Sequence, residues 1–440
     1  MGAIMKHTNV SATIVAIIVA IALIAGAGVG IWWFTARDVR PDAIPASEAA
    51  KAALTRPATA KDPDDESVSF TYRSAPEFMN LRDRNGNTNY SPASLWLALA
   101  IAAQGADGRT REQMEETLGL EGMDDEDYRS LRLSINGDYG EDVRSDMRTA
   151  NSLWVDDDQV TPDESFLDTV KGPFDAQVRT VDFSDADTAR TISDWIAEQT
   201  GDTLRPRITI VPNEVMAIIN TVYADGRWSS PFDESATDDA TFHGADDDST
   251  VPFMHQTFDS LDLIQDDAAG WRRADIPFDN GGMLKVLLPD EGRFETLAAD
   301  PAMLQHAFET DARDADGATA SVDMTLPRFT IENTFDSEDS IRILESLGMT
   351  DAFDAGSADF GRLGTAADGG ALYLGTVVQG TRIEVSEVGA KAAAYTEAGM
   401  TTAGAPADVV EFTVDRPFLY ALTTPDGVPL FIGAVRNIAA

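Results

Sequence analysis

The chain has 440 residues, of which 43% are hydrophobic, and it contains no cysteine and only four histidines. The lack of cysteine excludes disulfides, thiol catalysis and cysteine-ligated metal sites, and the scattered histidines form no metal-binding motif. A net charge of −42 without a basic patch argues against nucleic-acid binding.

The acidic residues are spread over the whole chain. There are 75 aspartates and glutamates against 33 lysines and arginines. A compact chain with this charge repels itself in dilute buffer, whereas in molar salt a Debye length of about 3 Å screens most of the repulsion. The composition is typical of halophilic, archaeal proteins, so we expect the protein to be less stable in low salt.

The chain begins with a short segment, residues 1–10, followed by an uncharged stretch, residues 11–34. At about 1.5 Å per residue this stretch can cross a bilayer core of about 30 Å, and it ends in aromatic residues typical of a membrane interface. It is predicted to be a transmembrane signal anchor that holds an extracellular domain at the cell membrane. The alternative is a signal peptide, cleaved near Ala25–Ala27, which would release the domain by secretion.

Residues 35–67 contain Pro, Ala, Lys and Asp without clear periodicity, and they are predicted to form a flexible linker. The rest of the chain, residues 68–440, shows no internal repeat. We expect it to fold as one domain.

Within this domain, most of the predicted helices precede the strands. A serine cap in residues 91–94 precedes an apolar helix over residues 95–103, and amphipathic helices are predicted at 109–118 and 186–200. Residues 215–223 are too apolar for an edge and predict a central strand. Further strands are predicted at 151–155, 284–288, 321–326, 409–414, 418–423 and 430–435. This order indicates an α+β protein with several sheets.

Several motifs follow one another in a fixed order. They are Asn87-x-x-x-Ser91-Pro92-x-Ser94, Gly105-Ala106-x-Gly108-x-Thr110, Asn220-x-x-Tyr223-x-x-Gly226-x-Trp228-x-x-Pro231-Phe232, Leu326-Pro327-Arg328-Phe329, Leu347-Gly348-Met349, Arg416-Pro417-Phe418 and Leu430-Phe431-x-Gly433. With these motifs the chain resembles the serpin family throughout residues 68–440. The resemblance implies a serpin fold with three β-sheets, about eight to nine helices and an exposed reactive-centre loop.

The resemblance places the function in that loop and in the hinge before it. The hinge residues are Glu387, Gly389, Ala390, Ala392, Ala393 and Ala394. In the family, a protease attacks the loop and forms an acyl-enzyme, and the cut loop enters the main sheet as a new strand and traps the protease. Counting from Gly389 as the family does places the cleaved bond at Ala403–Gly404. The alternatives are Met400–Thr401 and Thr402–Ala403.

The residues that follow the hinge fit a strand with one buried face. Alternate residues of a strand point to opposite sides, and the even-numbered residues from Ala390 to Thr402 are all small or apolar. Lys391, Tyr395 and Glu397 fall on the other face. Proline is absent from the segment, as an inserted strand requires.

The loop also constrains the target protease. No lysine or arginine occurs from Ala392 to Asp415, so a trypsin-like enzyme would find no cation for its pocket. We expect the partner to be a secreted protease with a small or broad specificity pocket, of the elastase or subtilisin kind.

Two further clusters are implied by the resemblance. The residues under the main sheet, called the shutter, are Ser91, Ser94, Asn220 and Gln379, where glutamine replaces the family's usual histidine but still donates and accepts hydrogen bonds. The residues at the top of the sheet, called the breach, are Trp228, Thr237, Arg328 and Glu387. An arginine–carboxylate pair is expected between the last two.

Two other functions are compatible with parts of this pattern. A non-inhibitory serpin-fold binding or chaperone-like protein would share the fold, but the alanines at inward hinge positions argue against it. A secreted hydrolase lacks support because no G-x-S-x-G motif occurs. The expected protein is therefore a monomeric protease inhibitor and not an enzyme, without cofactor or metal.

Overall fold

A computed structural model describes residues 13–20, 45–55, 68–81, 86–136, 147–202, 204–210, 213–311, 318–390 and 409–439. The described helices are α1 (Glu48–Leu54), α2 (Phe70–Asn80), α3 (Pro92–Gly105), α4 (Gly108–Leu118), α5 (Asp125–Asn136), α6 (Glu164–Lys171), α7 (Thr188–Gln199), α8 (Phe294–Ala299), α9 (Pro301–Glu309) and α10 (Ser337–Ser346). The described strands are β1 (Thr13–Ala20), β2 (Thr88–Tyr90), β3 (Met147–Val155), β4 (Val160–Pro162), β5 (Gln177–Thr180), β6 (Glu214–Ala224), β7 (Asp238–His243), β8 (Asp248–Asp266), β9 (Trp271–Pro277), β10 (Met283–Pro289), β11 (Ala318–Pro327), β12 (Phe329–Phe335), β13 (Gly364–Ala366), β14 (Leu372–Val385), β15 (Val409–Thr413), β16 (Phe418–Thr423) and β17 (Pro429–Val435).

The strands form three sheets. The main sheet has six strands in the order β12-β14-β1-β6-β3-β5, the second sheet has nine, in the order β15-β11-β8-β9-β10-β16-β17-β2 with β7 beside β8, and β4 pairs with β13. The predicted α+β fold with three sheets is confirmed. The described part of the chain has ten α-helices, slightly more than the eight to nine expected.

Helix α3 lies between the two large sheets. Every residue from Leu95 to Ala103 is buried, which agrees with the predicted apolar helix. The Ser91 hydroxyl caps its start by accepting from the N–H of Ser94 (3.4 Å). Strand β6 is also buried along its whole length and is central, as its sequence predicts. The start of α3 is thus held directly under the middle of the main sheet.

Strand β1 differs from what the sequence predicts. Its residues belong to the stretch 11–34, predicted to be a transmembrane helix, but they form a strand that pairs parallel to both β14 and β6. None of the helices in the described ranges is long and apolar enough to cross a membrane. The other residues of the stretch lie outside the described part. We call the position between β14 and β6, which β1 fills here, the slot.

Helix α1 is a second difference. Residues 45–55 belong to the predicted flexible linker, yet Ala46, Ala50 and Leu54 of this segment are buried against the domain. For these residues the prediction of a flexible tether is wrong, because the helix has an apolar face with a place on the domain to bury it.

Candidate functional site

The hinge begins in a tight turn after β14. Ser386 and Gly389 exchange backbone hydrogen bonds of 2.9 and 3.2 Å, and the N–H of Ala390 donates to the Gly226 carbonyl (2.7 Å). A Cβ atom added at Gly389 would lie 2.0 Å from the Gly226 carbonyl oxygen, so only glycine allows the two backbones to approach this closely. The turn therefore joins the end of β14 to the segment that follows β6.

Ala390 is the last described residue before the reactive-centre loop, and it is fully buried. The other predicted hinge alanines, Ala392, Ala393 and Ala394, lie outside the described residues. The predicted cleavage positions also lie outside them, namely Met400, Thr401, Thr402, Ala403 and Gly404. The structure thus fixes where the loop starts and where it ends, at β15.

The breach residues come together around the Glu387 carboxylate. The Arg328 Nε and the Thr237 hydroxyl both donate to Glu387 Oε1, at 2.7 and 2.5 Å, and the second guanidinium contact, from Nη2, reaches the same oxygen. Burial alone would raise the pKa of this carboxyl, but the hydrogen bonds from Arg328 and Thr237 outweigh burial and hold the pKa below its ordinary value. Glu387 is therefore ionised and anchored at neutral pH.

Trp228 holds the backbone of the same turn. Its indole N–H donates to the Ser386 carbonyl (2.8 Å), and its backbone N–H donates to the Val388 carbonyl (3.0 Å). Its ring stacks on Phe278, with centroids 4.9 Å apart, and a Cβ at Gly226 would lie 2.6 Å from the Phe278 ring. The glycine of the predicted motif thus leaves room for this stack.

The shutter residues meet at the start of α3 in two separate halves. On the β6 side, the Ser94 hydroxyl donates to Asn220 Oδ1. On the β14 side, the Gln379 side chain accepts from the Ser91 N–H (3.1 Å) and donates to the Ser91 carbonyl (2.9 Å). The glutamine that replaces histidine therefore pairs with backbone atoms of the helix cap. Both halves are fully buried.

Sequence reasoning missed several members of this network. Asn220 Nδ2 also donates to Thr149 and Asn151 of β3, each at 2.8 Å. On the other side, the Thr381 hydroxyl donates to the Asn89 carbonyl (2.7 Å). The only available signal was the presence of polar residues in otherwise apolar strands, because buried polar side chains are found with partners.

The described residues contain no group of histidine, aspartate and glutamate side chains that could hold a metal ion. The three histidines in these ranges each contact an aspartate at the surface instead, in the pairs His243–Asp248, His255–Asp238 and His306–Asp266. The clusters at the hinge, breach and shutter contain groups that hold a backbone segment in place, and none of them resembles a nucleophile–base pair.

Comparisons with known proteins identify the family. The sequence model described as serpin (serine protease inhibitor) matches residues 66–438. An uncharacterised serpin-like protein of Thermococcus kodakarensis is 32% identical over 372 residues, covering 82% of this chain and 83% of the relative. Neuroserpin of Mus musculus is 30% identical, covering 80% of this chain and 86% of the relative.

Solved structures agree with this result. The crystal structure of the thermophilic serpin tengpin in its native state superposes with a TM-score of 0.71 at 27% identity, covering 90% of this chain and 100% of that one. Together with the matched sequence model, this similarity leaves one assignment: the chain belongs to the serpin family.

Proposed function

We propose that the protein is a suicide inhibitor of extracellular serine proteases, or of cysteine proteases that use the same acyl-enzyme chemistry. The protease nucleophile attacks the carbonyl carbon of Ala403, the amine of Gly404 leaves, and an acyl-enzyme forms. The freed segment from Ala390 onward then enters the slot as a new strand and carries the protease with it. The family description, serine protease inhibitor, supports this function.

The observation that carries the proposal is the pairing of Gly389. Its backbone forms antiparallel bridges both with Ser386, at the end of β14, and with Arg227, beyond the end of β6. Gly389 therefore already occupies the first position of a strand that is antiparallel to both neighbours. A chain continuing in this direction enters the slot in a register that is already set.

The flanking strands determine how far such a strand extends. Val19 of β1 lies opposite both Gln379 and Asn220, so these two residues share one row of the sheet. Antiparallel pairing continued from Gly389 brings Thr396 into that row. Without the bulges near the base of the slot, it reaches Glu214, the first residue of β6, at Thr402 and Leu372, the first residue of β14, at Ala403. This length supports cleavage at Ala403–Gly404.

The same register supports the predicted burial of alternate residues. Ala392 would lie opposite Ile383 on β14 and Ala224 on β6, and both are fully buried. Ala393 would lie opposite Arg382 on β14, which is partly exposed, and opposite Tyr223 on β6, which is buried in a second, smaller cluster. Paired residues in a sheet point to the same side, so the alanines with even numbers face the core and a new strand fits without placing a large polar side chain there.

The target we propose is a secreted protease with a small or broad pocket, elastase-like or subtilisin-like. The segment that the protease would bind and cleave, residues 392–408, contains no lysine or arginine. This composition disfavours trypsin-like enzymes. The protein acts as a monomer in this scheme, because the inserted strand comes from its own chain.

We also propose that residues 11–34 cross the cell membrane in the cell and hold residues 68–440 outside it. Strand β1 uses only 8 residues of this uncharged stretch, whereas a bilayer would bury all of it. The two placements exclude each other, and a membrane placement leaves the slot open for the loop. If the stretch is cleaved as a signal peptide, the domain is secreted. Carbonate extraction of cell membranes followed by immunoblotting distinguishes the anchored from the secreted form.

The trapping mechanism is tested with subtilisin and pancreatic elastase. We expect an SDS-stable complex of protease and inhibitor, with the ester linkage located at Ala403 by mass spectrometry, and a nicked inhibitor that melts at a higher temperature than the intact one. Recovery of nicked inhibitor beside fully active protease would exclude trapping.

A matched pair of variants tests the insertion itself. Ala392→Glu places a charge on the face that becomes buried, so we expect a substrate that is cleaved without complex formation. Ala393→Glu places the same charge on the opposite face, beside the Arg382 guanidinium, and we expect clearly more complex formation than with Ala392→Glu. Equal behaviour of the two variants would contradict the proposed register.

The alternative is a non-inhibitory serpin-fold binding or chaperone-like protein. For such a protein we expect that cleavage of the loop does not raise the melting temperature above that of the intact protein. The buried Ala390 and its hydrogen bond to Gly226 (2.7 Å) favour the inhibitor, because the first step of insertion is sterically prepared.

A further inference from the structure

Strand β15 lies at one end of the second sheet, where the described chain resumes after the reactive-centre loop. It pairs only with β11 among the described strands, so its other edge has no neighbouring strand there. The first two side chains, Val409 and Val410, are 52% and 39% exposed, and every other large hydrophobic side chain in the described ranges is less exposed. Because neighbouring residues of a strand point to opposite sides, apolar surface is open on both faces of this edge.

The exposure does not come from a loosely held strand. All 5 residues of β15 pair with β11, Phe412 is fully buried, and the Arg272 guanidinium lies over its ring at 5.3 Å. Just beyond the strand, the Val414 N–H donates to the Thr325 carbonyl (2.9 Å). A partner that binds here meets a rigid surface, and rigidity lowers the entropic cost of association.

The edge also lacks the features that normally protect a free strand. Such edges are commonly guarded by charged side chains, proline or a bulge. Strand β15 has no lysine or proline, and it pairs without a bulge. Strand β7, which pairs only with β8 in the same sheet, is guarded by the exposed Asp238 and Asp239. Adjacent exposed valines at an unprotected edge are expected where a partner covers them.

Glu411 indicates the chemistry of that partner. It lies in register with Asp323 of β11, and both side chains are exposed. Like charges on adjacent strands destabilise a sheet. A basic side chain on the partner would relieve this repulsion, so the surface that fits is apolar with a cation beside it.

The proposed cleavage site brings the target protease to this edge. Gly404 and Val409 are five residues apart in the sequence, which limits their separation to about 18 Å. A protease of about 250 residues has a radius of gyration of about 18 Å and is roughly 45 Å across. A protease bound at Ala403–Gly404 therefore reaches the start of β15.

We propose that Val409, Val410 and Glu411, the edge patch, form a second contact for the target protease outside its cleft. The patch strengthens the first, reversible complex, in which the loop is bound but not yet cleaved. It favours proteases whose surface beside the cleft is apolar and carries a basic side chain. The inference rests on the proposed function, because that function supplies the occupant, and it adds a determinant of specificity away from the cleaved bond.

The test measures binding of the full-length protein to inactive subtilisin, in which the active-site serine is replaced by alanine. Cleavage and insertion do not occur with this enzyme, so the result does not depend on trapping. Val409→Thr with Val410→Thr keeps the strand preference of both positions and makes them polar. Glu411→Lys reverses the charge of the patch. Glu345→Lys, at an exposed position of α10, whose main contacts are with β14 and α2, is the matched control for net charge.

We expect the double threonine variant to bind inactive subtilisin roughly tenfold more weakly, mainly through faster dissociation. Glu411→Lys should associate roughly threefold more slowly at low salt, and the difference from Glu345→Lys should disappear in molar KCl. The melting temperatures should stay close to that of the unmodified protein, because the changed side chains are exposed.

Unchanged affinity in the double threonine variant would overturn the edge patch, and equal association of the two lysine variants would overturn the basic side chain assigned to the partner. Weaker binding of the double variant together with a failure of active subtilisin to be trapped would reject the inhibitor mechanism and keep the edge patch. No measurable binding by the unmodified protein would reject the proposed target and, with it, the occupant of the patch.

Discussion

Lys391 provides the sharpest test of the proposed insertion, because it is the only basic residue between Ala390 and Arg416. The register continued from Gly389 places it on the outer face, between Asp225 at the top of β6 and Glu384 on β14. Both carboxylates are partly exposed. Burial raises the pKa of nearby Asp279, and the charge of Arg227 opposes this rise more strongly than the charge of Asp225 adds to it, so a lysine here would pair with Asp225 and Glu384 at a place where one cation is already present.

The expected size of the effect follows from sheet geometry. An opposite-charge pair directly across two strands contributes roughly 0.2–1 kcal/mol, and a like-charge pair costs a similar amount. Glu384 also contacts Arg382 (3.1 Å), and this contact weakens the interaction expected between Glu384 and Lys391. Charge reversal in Lys391→Glu should therefore destabilise the inserted state by roughly 1–3 kcal/mol. The pairs formed by Lys391 lie at the start of the new strand and form early in insertion. Most of the lost free energy should therefore appear as a lower rate of insertion.

The assay is the stoichiometry of inhibition against subtilisin, measured with the rate of complex formation. We expect Lys391→Glu to insert roughly 5–100-fold more slowly, as the free energy above implies, and to behave largely as a substrate. Asp225→Lys added to it should restore trapping, and the difference should shrink in molar KCl. An unchanged stoichiometry in Lys391→Glu, or no rescue by Asp225→Lys, would refute the register.

Three further outcomes are expected. Gly389→Ala should destabilise the native protein by roughly 1–3 kcal/mol in chemical denaturation, because its Cβ meets the Gly226 carbonyl at 2.0 Å. Gly356→Ala, whose added Cβ meets no atom nearer than 3.6 Å, should cost less. Glu387→Gln should lower the stability of the native form by about 1–2 kcal/mol at pH 7. Since the folded pKa of Glu387 is depressed, the stability from this pair is complete above the unfolded pKa of about 4.3 and is lost as the pH falls through the folded value, so the variant and the parent should converge in acid. Raising KCl from dilute to molar should raise the melting temperature on the order of 10 °C, and a constant value would contradict the interpretation of the charge.

Regular periodicity made most of the fold predictable. The apolar run of α3, the central strand β6 and the C-terminal strands were all found within a few residues of their predicted bounds. Helix α1 was missed although Ala46, Ala50 and Leu54 follow a helical spacing and Ser47 is a good cap. Alanine does not distinguish a helix from a linker in such a pattern, because it is common in both. Whether the segment folds as a helix depends on the surface of α5 against which it packs, and the sequence pattern does not show that surface.

The candidate site was predictable in its members but not in its connections. The family pattern indicated Ser91, Ser94, Asn220 and Gln379. It did not indicate that Gln379 pairs with the backbone of Ser91 or that Asn220 also binds β3. Such partners depend on side-chain positions in three dimensions, and neither a motif nor a periodicity encodes them.

The division of the shutter explains how a buried polar network can coexist with a sheet that opens. A buried donor or acceptor that loses its partner costs about 1–3 kcal/mol, so a network spanning the slot would resist opening at every bond. Here the described bonds of Asn220 go to α3 and β3, and those of Gln379 go to the Ser91 backbone. Among the described side-chain hydrogen bonds, the two sides meet at the start of α3, and separating β6 from β14 strains one side of this junction at a time.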